Sequence, residues 1–215
     1  MRFLHLQYFS SFILLCLLGH FNSLNAQVDI IKIKNPSFEG KAKQSEPPKF
    51  WRSFNLFKDE SPPDTQPGIW GVKRKASDGD TYIGIVVRDV ETHEAVSQRL
   101  KHPLMKSECY SFKIDLCRSN TYLSMSQITG DEANYTEAVK FRIWGYDDLT
   151  NYRELLAESE AVDHQEWKRY NFEFSPKDKH YKYIVLEAYF AKDGFYNGHI
   201  LIDNASDIIR LECDK

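Results

Sequence analysis

Three groups of residues in this chain could do chemistry. The first is a set of aromatic and charged side chains at alternate positions of strand-like runs. Arg142, Trp144 and Tyr146 alternate with Phe141 and Ile143, and Glu187 and Tyr189 alternate with Leu186, Ala188 and Phe190. Lys113 and Asp115 alternate with Phe112 and Ile114, and Arg88 closes the run from Tyr82. A period of two sends one set inward and the other outward. Sugar rings offer apolar C–H faces that stack on Trp and Tyr, and hydroxyls that bond to charged side chains. If these strands share a sheet, the outward set forms an amphipathic platform on its concave face, and Trp70, in a loop at the edge, adds a wall. Trp51 and Trp167 read as core or loop-packing residues.

The second group is a pair of carboxylates near the two ends of the chain. Glu39 lies in Asn35-Pro36-Ser37-Phe38-Glu39-Gly40. Asp203 follows the apolar run Ile200–Ile202, and Asn197-Gly198 before that run makes a tight turn because Gly accepts positive φ without a steric penalty. The third group is the cysteines. Beyond Cys16 there are Cys109, Cys117 and Cys213, an odd number that allows one internal disulfide and one leftover thiol. Cys109 and Cys117 flank a single extended run about 26 Å long, too far apart to bond each other.

Enzyme signatures are missing. There is no Gly-x-Ser-x-Gly elbow, phosphate loop or dinucleotide fingerprint. His93-Glu94-Ala95-Val96-Ser97 starts like a zinc-protease helix, but Ser97 stands where the second His ligand belongs. His93, His102, His164, His180 and His199 have no ligand spacing and read as surface or loop residues. With 31 Asp and Glu in the chain, an acid pair for glycoside hydrolysis is a matter of spatial separation, which sequence does not give.

Residues 1–26 read as a signal peptide: Arg2, the apolar core Phe12–Leu18, and Leu24-Asn25-Ala26 at a cleavage site. That core is too short to span a bilayer, and Cys16 lacks the small residue before it that lipid attachment needs. The expected product is residues 27–215, one exported domain, extracellular or periplasmic and not membrane-spanning. The 215-residue chain carries a formal charge of −3, which argues against a nucleic-acid partner.

The elements that must position these residues are short strands. Expected strands are Val28–Lys34, Tyr82–Arg88, Ala95–Leu100, Cys109–Arg118, Lys140–Tyr146, Trp167–Phe174, Tyr181–Phe190, Ile200–Asp203 and Ser206–Cys213, with Glu154–Val162 extended. Residues 41–69, with Pro47-Pro48 and Pro62-Pro63, suit an ordered loop that packs down through Phe50, Trp51, Phe54 and Phe57. Residues 119–137 are polar, a loop or a weak strand. About ten strands without a sustained amphipathic helix call for an all-β antiparallel sandwich.

Asn-Pro-Ser-Phe-Glu near the start and the apolar strand ending Ile-Asp-Asn near the end resemble the galactose-binding-like jelly rolls, in particular calcium-containing carbohydrate-binding modules. Pro63–Val72 and Ser77–Gly84 extend the resemblance to secreted single-domain proteins of the Bacteroidota. It implies a jelly-roll β-sandwich and a structural calcium tying the exit of the first strand to the last strand. The matching ligands are Glu39 and Asp203, with Asn35 and a carbonyl near Asp78 or Asp80; the alternative is that Glu39 and Asp203 accept backbone N–H bonds and close the sandwich. It also implies that the Cys109 strand neighbours the last strand antiparallel, which would pair Cys109 with Cys213. The function expected is a non-catalytic module binding a glycan or cell-surface polysaccharide. The alternatives are an envelope protein–protein or structural module, and a small carbohydrate-active enzyme.

Overall fold

The computed structural model describes residues 30–54 and 61–213; the expected signal peptide, Val28 and Phe57 lie outside them. Two antiparallel sheets face each other. The seven-stranded sheet contains β1 (Ile30–Ile31), β3 (Asp64–Gln66), β4 (Tyr82–Val87), β6 (Cys109–Cys117), β11 (Lys168–Phe174), β13 (Gly198–Asp203) and β14 (Ile208–Leu211). The five-stranded sheet runs β10 (Tyr152–Glu158), β9 (Val139–Asp147), β12 (Tyr181–Phe190), β5 (Ala95–Leu104), β2 (Arg52–Ser53). A separate hairpin joins β7 (Leu123–Met125) to β8 (Glu132–Asn134), within the stretch read as a loop or weak strand.

The fold is an all-β antiparallel jelly-roll sandwich. Its core is the inward half of each alternation. Ile83, Ile85 and Val87 of β4 and Phe112, Ile114 and Leu116 of β6 meet Phe141 and Ile143 of β9 and Ile184, Leu186 and Ala188 of β12. Polar–apolar alternation with this period leaves one buried side per strand, so strand faces follow from sequence. Glu154–Glu158 is extended, as expected.

One face departs from the simple pattern. The outer side of β4 and β6 is also buried, because the 61–81 and 118–138 segments lie over it. Tyr82, Val86, Cys117, Tyr122, Tyr135 and Leu201 form a second, smaller core there, with Val72. Their burial explains why β4 is apolar on both faces. The 41–69 stretch does pack down through Trp51, buried against Phe38, and Phe54, edge-on to Tyr146; Phe50 stays exposed.

Strand β6 is the hinge of the topology. β11 pairs along one edge of it, while β14 (opposite Cys109–Ser111) and β13 (opposite Asp115–Cys117) share the other. The antiparallel β14–β6 register places Leu211 opposite Cys109. Cys213, two residues on, is joined to Cys109 with a Cα–Cα distance of 5.3 Å, and Cys117 is free and buried.

Candidate functional site

The predicted platform divides between the two sheets. Arg142, Trp144 and Tyr146 on β9 and Glu187 and Tyr189 on β12 share the outer face of the five-stranded sheet, where the strands pair Arg142 opposite Glu187 and Trp144 opposite Val185. Lys113 and Asp115 on β6 and Arg88 at the exit of β4 belong to the seven-stranded sheet, so they do not join that platform. Alternation fixes which way a side chain points; which sheet the strand enters depends on distant pairing.

Two residues of β10 join the face: Arg153 lies opposite Tyr146 and Leu155 opposite Trp144. At its centre Glu187 is fully buried and holds three donors around it. Trp144 Nε1 donates at 2.8 Å, Arg153 at 3.1 Å, and His93 Nε2 stands at 3.1 Å from the carboxylate. Glu187 therefore positions its neighbours instead of meeting a ligand, since a buried carboxylate must have its charge met. His93, expected on the surface, is buried for the same reason. The Arg153 guanidinium sits 4.3 Å from the Trp144 ring centroid, and Arg142 sits 3.3 Å from that of Tyr189 while bonded to Glu158. These rings are held in place by cation–π and charged hydrogen bonds. Trp144 is half-buried and faces out, as its opposition to Phe141 and Ile143 requires. Tyr146 is partly covered by Phe54 and Tyr183.

The residues matched to calcium form a loop clamp. Asp203 Oδ2 accepts the N–H groups of Ser77 (2.7 Å) and Asp78 (3.0 Å), and Oδ1 accepts that of Asn204. Glu39 Oε1 accepts the N–H groups of Asp80 (3.0 Å) and Thr81 (3.2 Å) from the other end of the same loop. Gly79 fits between because a Cβ there would stand 2.1 Å from Glu39 Oε1, and its φ of +67° suits glycine. Asn35 bonds the Glu39 backbone in both directions, and Asp78 accepts the Ser37 hydroxyl. Asp115 closes the far side, accepting from Ser77 Oγ, Asn204 Nδ2 and Arg169. A calcium ion wants six to eight oxygens aimed at one point. Here the oxygens are aimed at backbone N–H groups, and among the described residues no group of three or more His, Cys, Asp or Glu could hold a metal. Glu39 Oε1 and both Asp203 oxygens are taken up by backbone N–H groups, the arrangement that closes the sandwich without an ion.

Trp70 and Arg88 meet elsewhere, in a partly open cavity of about 230 Å³ on the outer side of the seven-stranded sheet, with Asp64, Glu94 and Tyr122. Sequence reading missed Asp64 and Glu94, which lie in a Pro-rich loop and a misleading His-Glu motif. A wider, open cavity of about 720 Å³ is bordered by Lys73, Arg74, Lys75 and Trp167. The Trp167 indole donates to the Lys75 carbonyl at 2.8 Å, consistent with its packing role.

No family model and no curated protein matches the chain. Solved structures do match. A cyclase from Fischerella sp. TAU, determined in complex with (3Z)-3-(1-methyl-2-pyrrolidinylidene)-3H-indole, superposes with a TM-score of 0.52 at 13% identity, covering 87% of this chain and 100% of that one. The K2 cleaved adhesin domain of Lys-gingipain gives 0.50 at 9% identity over 87% and 99% of the two chains. The CBM22-1 xylan-binding domain from Paenibacillus barcinonensis Xyn10C gives 0.47 at 14% identity over 87% and 97%. Likeness at such identities shows the fold alone, and that fold is the galactose-binding-like jelly roll.

Proposed function

We propose that this chain is an exported glycan-binding module that takes its ligand on the outer face of the five-stranded sheet around Trp144. The observation that supports this reading most is the arrangement of Trp144, Arg153, Arg142 and Tyr189 over one buried carboxylate. Rings and guanidinium groups are locked in place before a ligand arrives, which lowers the ordering cost of binding. The face offers an indole for stacking and guanidinium N–H groups for hydroxyls. Glu187 and Glu158 balance the arginines, so a neutral polysaccharide suits the face as well as an acidic one. Export rests on residues 1–26, and calcium has no part in the proposal.

A glycan array followed by titration calorimetry on the Trp144→Ala and Trp144→Phe variants tests the reading. Trp144→Ala is expected to weaken binding at least tenfold. Its stability should fall by only about 1–3 kcal/mol, the cost of leaving one bond of Glu187 unmade. Trp144→Phe should keep part of the affinity. Undiminished binding by Trp144→Ala, or an array with no glycan bound while an envelope protein is captured through the same face, would refute it.

A further inference from the structure

The partly open cavity over β3 and β4 lies on the opposite sheet from the Trp144 face and stands apart from the function proposed above. Its charges do not balance. Glu94 is neutralised: Arg88 bonds it directly, Ser61 Oγ donates to it at 3.0 Å and the Val86 N–H at 3.2 Å. Asp64, 5% exposed, has no such partner. The groups that bond it are neutral donors, Tyr122 O–H at 2.5 Å, Ser45 N–H at 2.7 Å and the Trp70 side chain; Arg88, bonded to Glu94, acts on it only through space. No cation lies within ion-pair distance of it among the described residues.

A buried carboxylate without a counter-charge is costly. Burial accordingly raises the pKa of Asp64 above the ordinary carboxylate value, against the pull of its hydrogen bonds and of the Arg88 charge. The carboxylate retains acceptor capacity, since its two oxygens offer about four lone-pair sites. Trp70 and Tyr122 give the cavity an aromatic side, with Val86 and Met125, while Gln44, Ser45, Ser61, Ser124 and Gln127 make the rest of its lining polar but uncharged. Trp70 reaches the cavity from a short 3-10 turn in which it takes a left-handed backbone, φ 53° and ψ 30°. Bulky residues rarely adopt that conformation, and it recurs at ligand clamps. The volume is smaller than a drug-sized cleft, so it admits one ring and not a polymer chain.

We propose that this cavity binds a small organic ammonium, its positive nitrogen on Asp64 and its apolar body against Trp70. The ligand supplies the charge the protein leaves out, and aromatic walls favour a cation over a neutral molecule of the same shape. Neutrality of the Glu94–Arg88 pair matters here, because a free guanidinium would repel such a ligand.

Titration calorimetry of the purified protein with glucosamine and with choline, and with glucose as the neutral match of the first, tests this. At least one of the two ammonium compounds should bind saturably, and glucose at least tenfold more weakly than glucosamine. Asp64→Asn removes the charge while its single amide oxygen still accepts from one of the two donors, Ser45 N–H, and its NH2 can donate to the Tyr122 oxygen; it should abolish the preference for the ammonium. Trp70→Ala removes the aromatic wall and one neutral donor to Asp64, and should weaken ammonium binding at least tenfold while the folded protein is retained. Equal affinity for glucose and glucosamine, no binding of either ammonium compound, or undiminished binding by Asp64→Asn would overturn it.

Discussion

His199 makes the stability of this fold acid-sensitive, by an amount the structure sets. The ring is fully buried in β13, 4.8 Å from the Tyr122 ring. Its Nε2 accepts the Ser119 N–H at 2.7 Å, and its Nδ1–H donates to the Tyr135 carbonyl. Both nitrogens are used in the neutral tautomer, and a proton on Nε2 would break the bond to Ser119. Burial, with the nearby charge of Arg118, holds the imidazole pKa down to about 4 from an ordinary 6.5, even though the bond to Tyr135 pulls it up. The sign follows: an unfolded chain takes the proton first, so this contribution is complete above pH 6.5 and drains away as pH falls toward 4. A shift of that size is worth about 3 kcal/mol at pH 4. Urea melts from pH 7 to 4 on the wild type and His199→Gln read it out, because the variant keeps an acceptor for Ser119 but cannot titrate. Glu94, pushed up to about 7 by burial, works in the opposite direction, but it is common to both proteins and cancels in their difference. The wild type should lose about 3 kcal/mol relative to the variant across that range. Parallel profiles would refute the burial argument and the tautomer with it.

Two other outcomes follow from the covalent and loop architecture. The Cys109–Cys213 bond closes a separation of 104 residues, so Cys213→Ser should lower stability by about 4–5 kcal/mol in the chain-entropy model; non-reducing peptide maps should show that pair, while Cys117, its thiol pushed up by burial, stays unreactive until unfolding. Chelator should leave the melting midpoint unchanged, because Glu39 and Asp203 already accept backbone N–H groups; a lower midpoint, with stoichiometric calcium by elemental analysis, would mean that the 77–81 loop re-forms around a cation.

Much of the fold was legible in the sequence. The alternation over Cys109–Arg118 and Tyr181–Phe190 gives the strands and their core-facing residues, the first strand ending one residue earlier at Cys117, because the period of two is a local property of the chain. The outward position of Trp144 follows in the same way. What local pattern leaves open is partnership. Lys113 and Asp115 have the same outward signature as Arg142 and Trp144, yet β6 pairs with β11, β13 and β14 while β9 pairs with β10 and β12. Nor does alternation say whether an outward face meets water. The 118–138 segment covers the outer side of β13, so His199, expected on the surface, is buried, and Asp115 becomes a loop anchor. The cavity acids show the limit most sharply. Asp64 and Glu94 lie 30 residues apart, in stretches with no shared periodicity. Only the packing of the 61–70 segment and the β7–β8 hairpin against β4 brings them to one wall, since contacts between distant segments are set by the whole fold and not by the residues beside them.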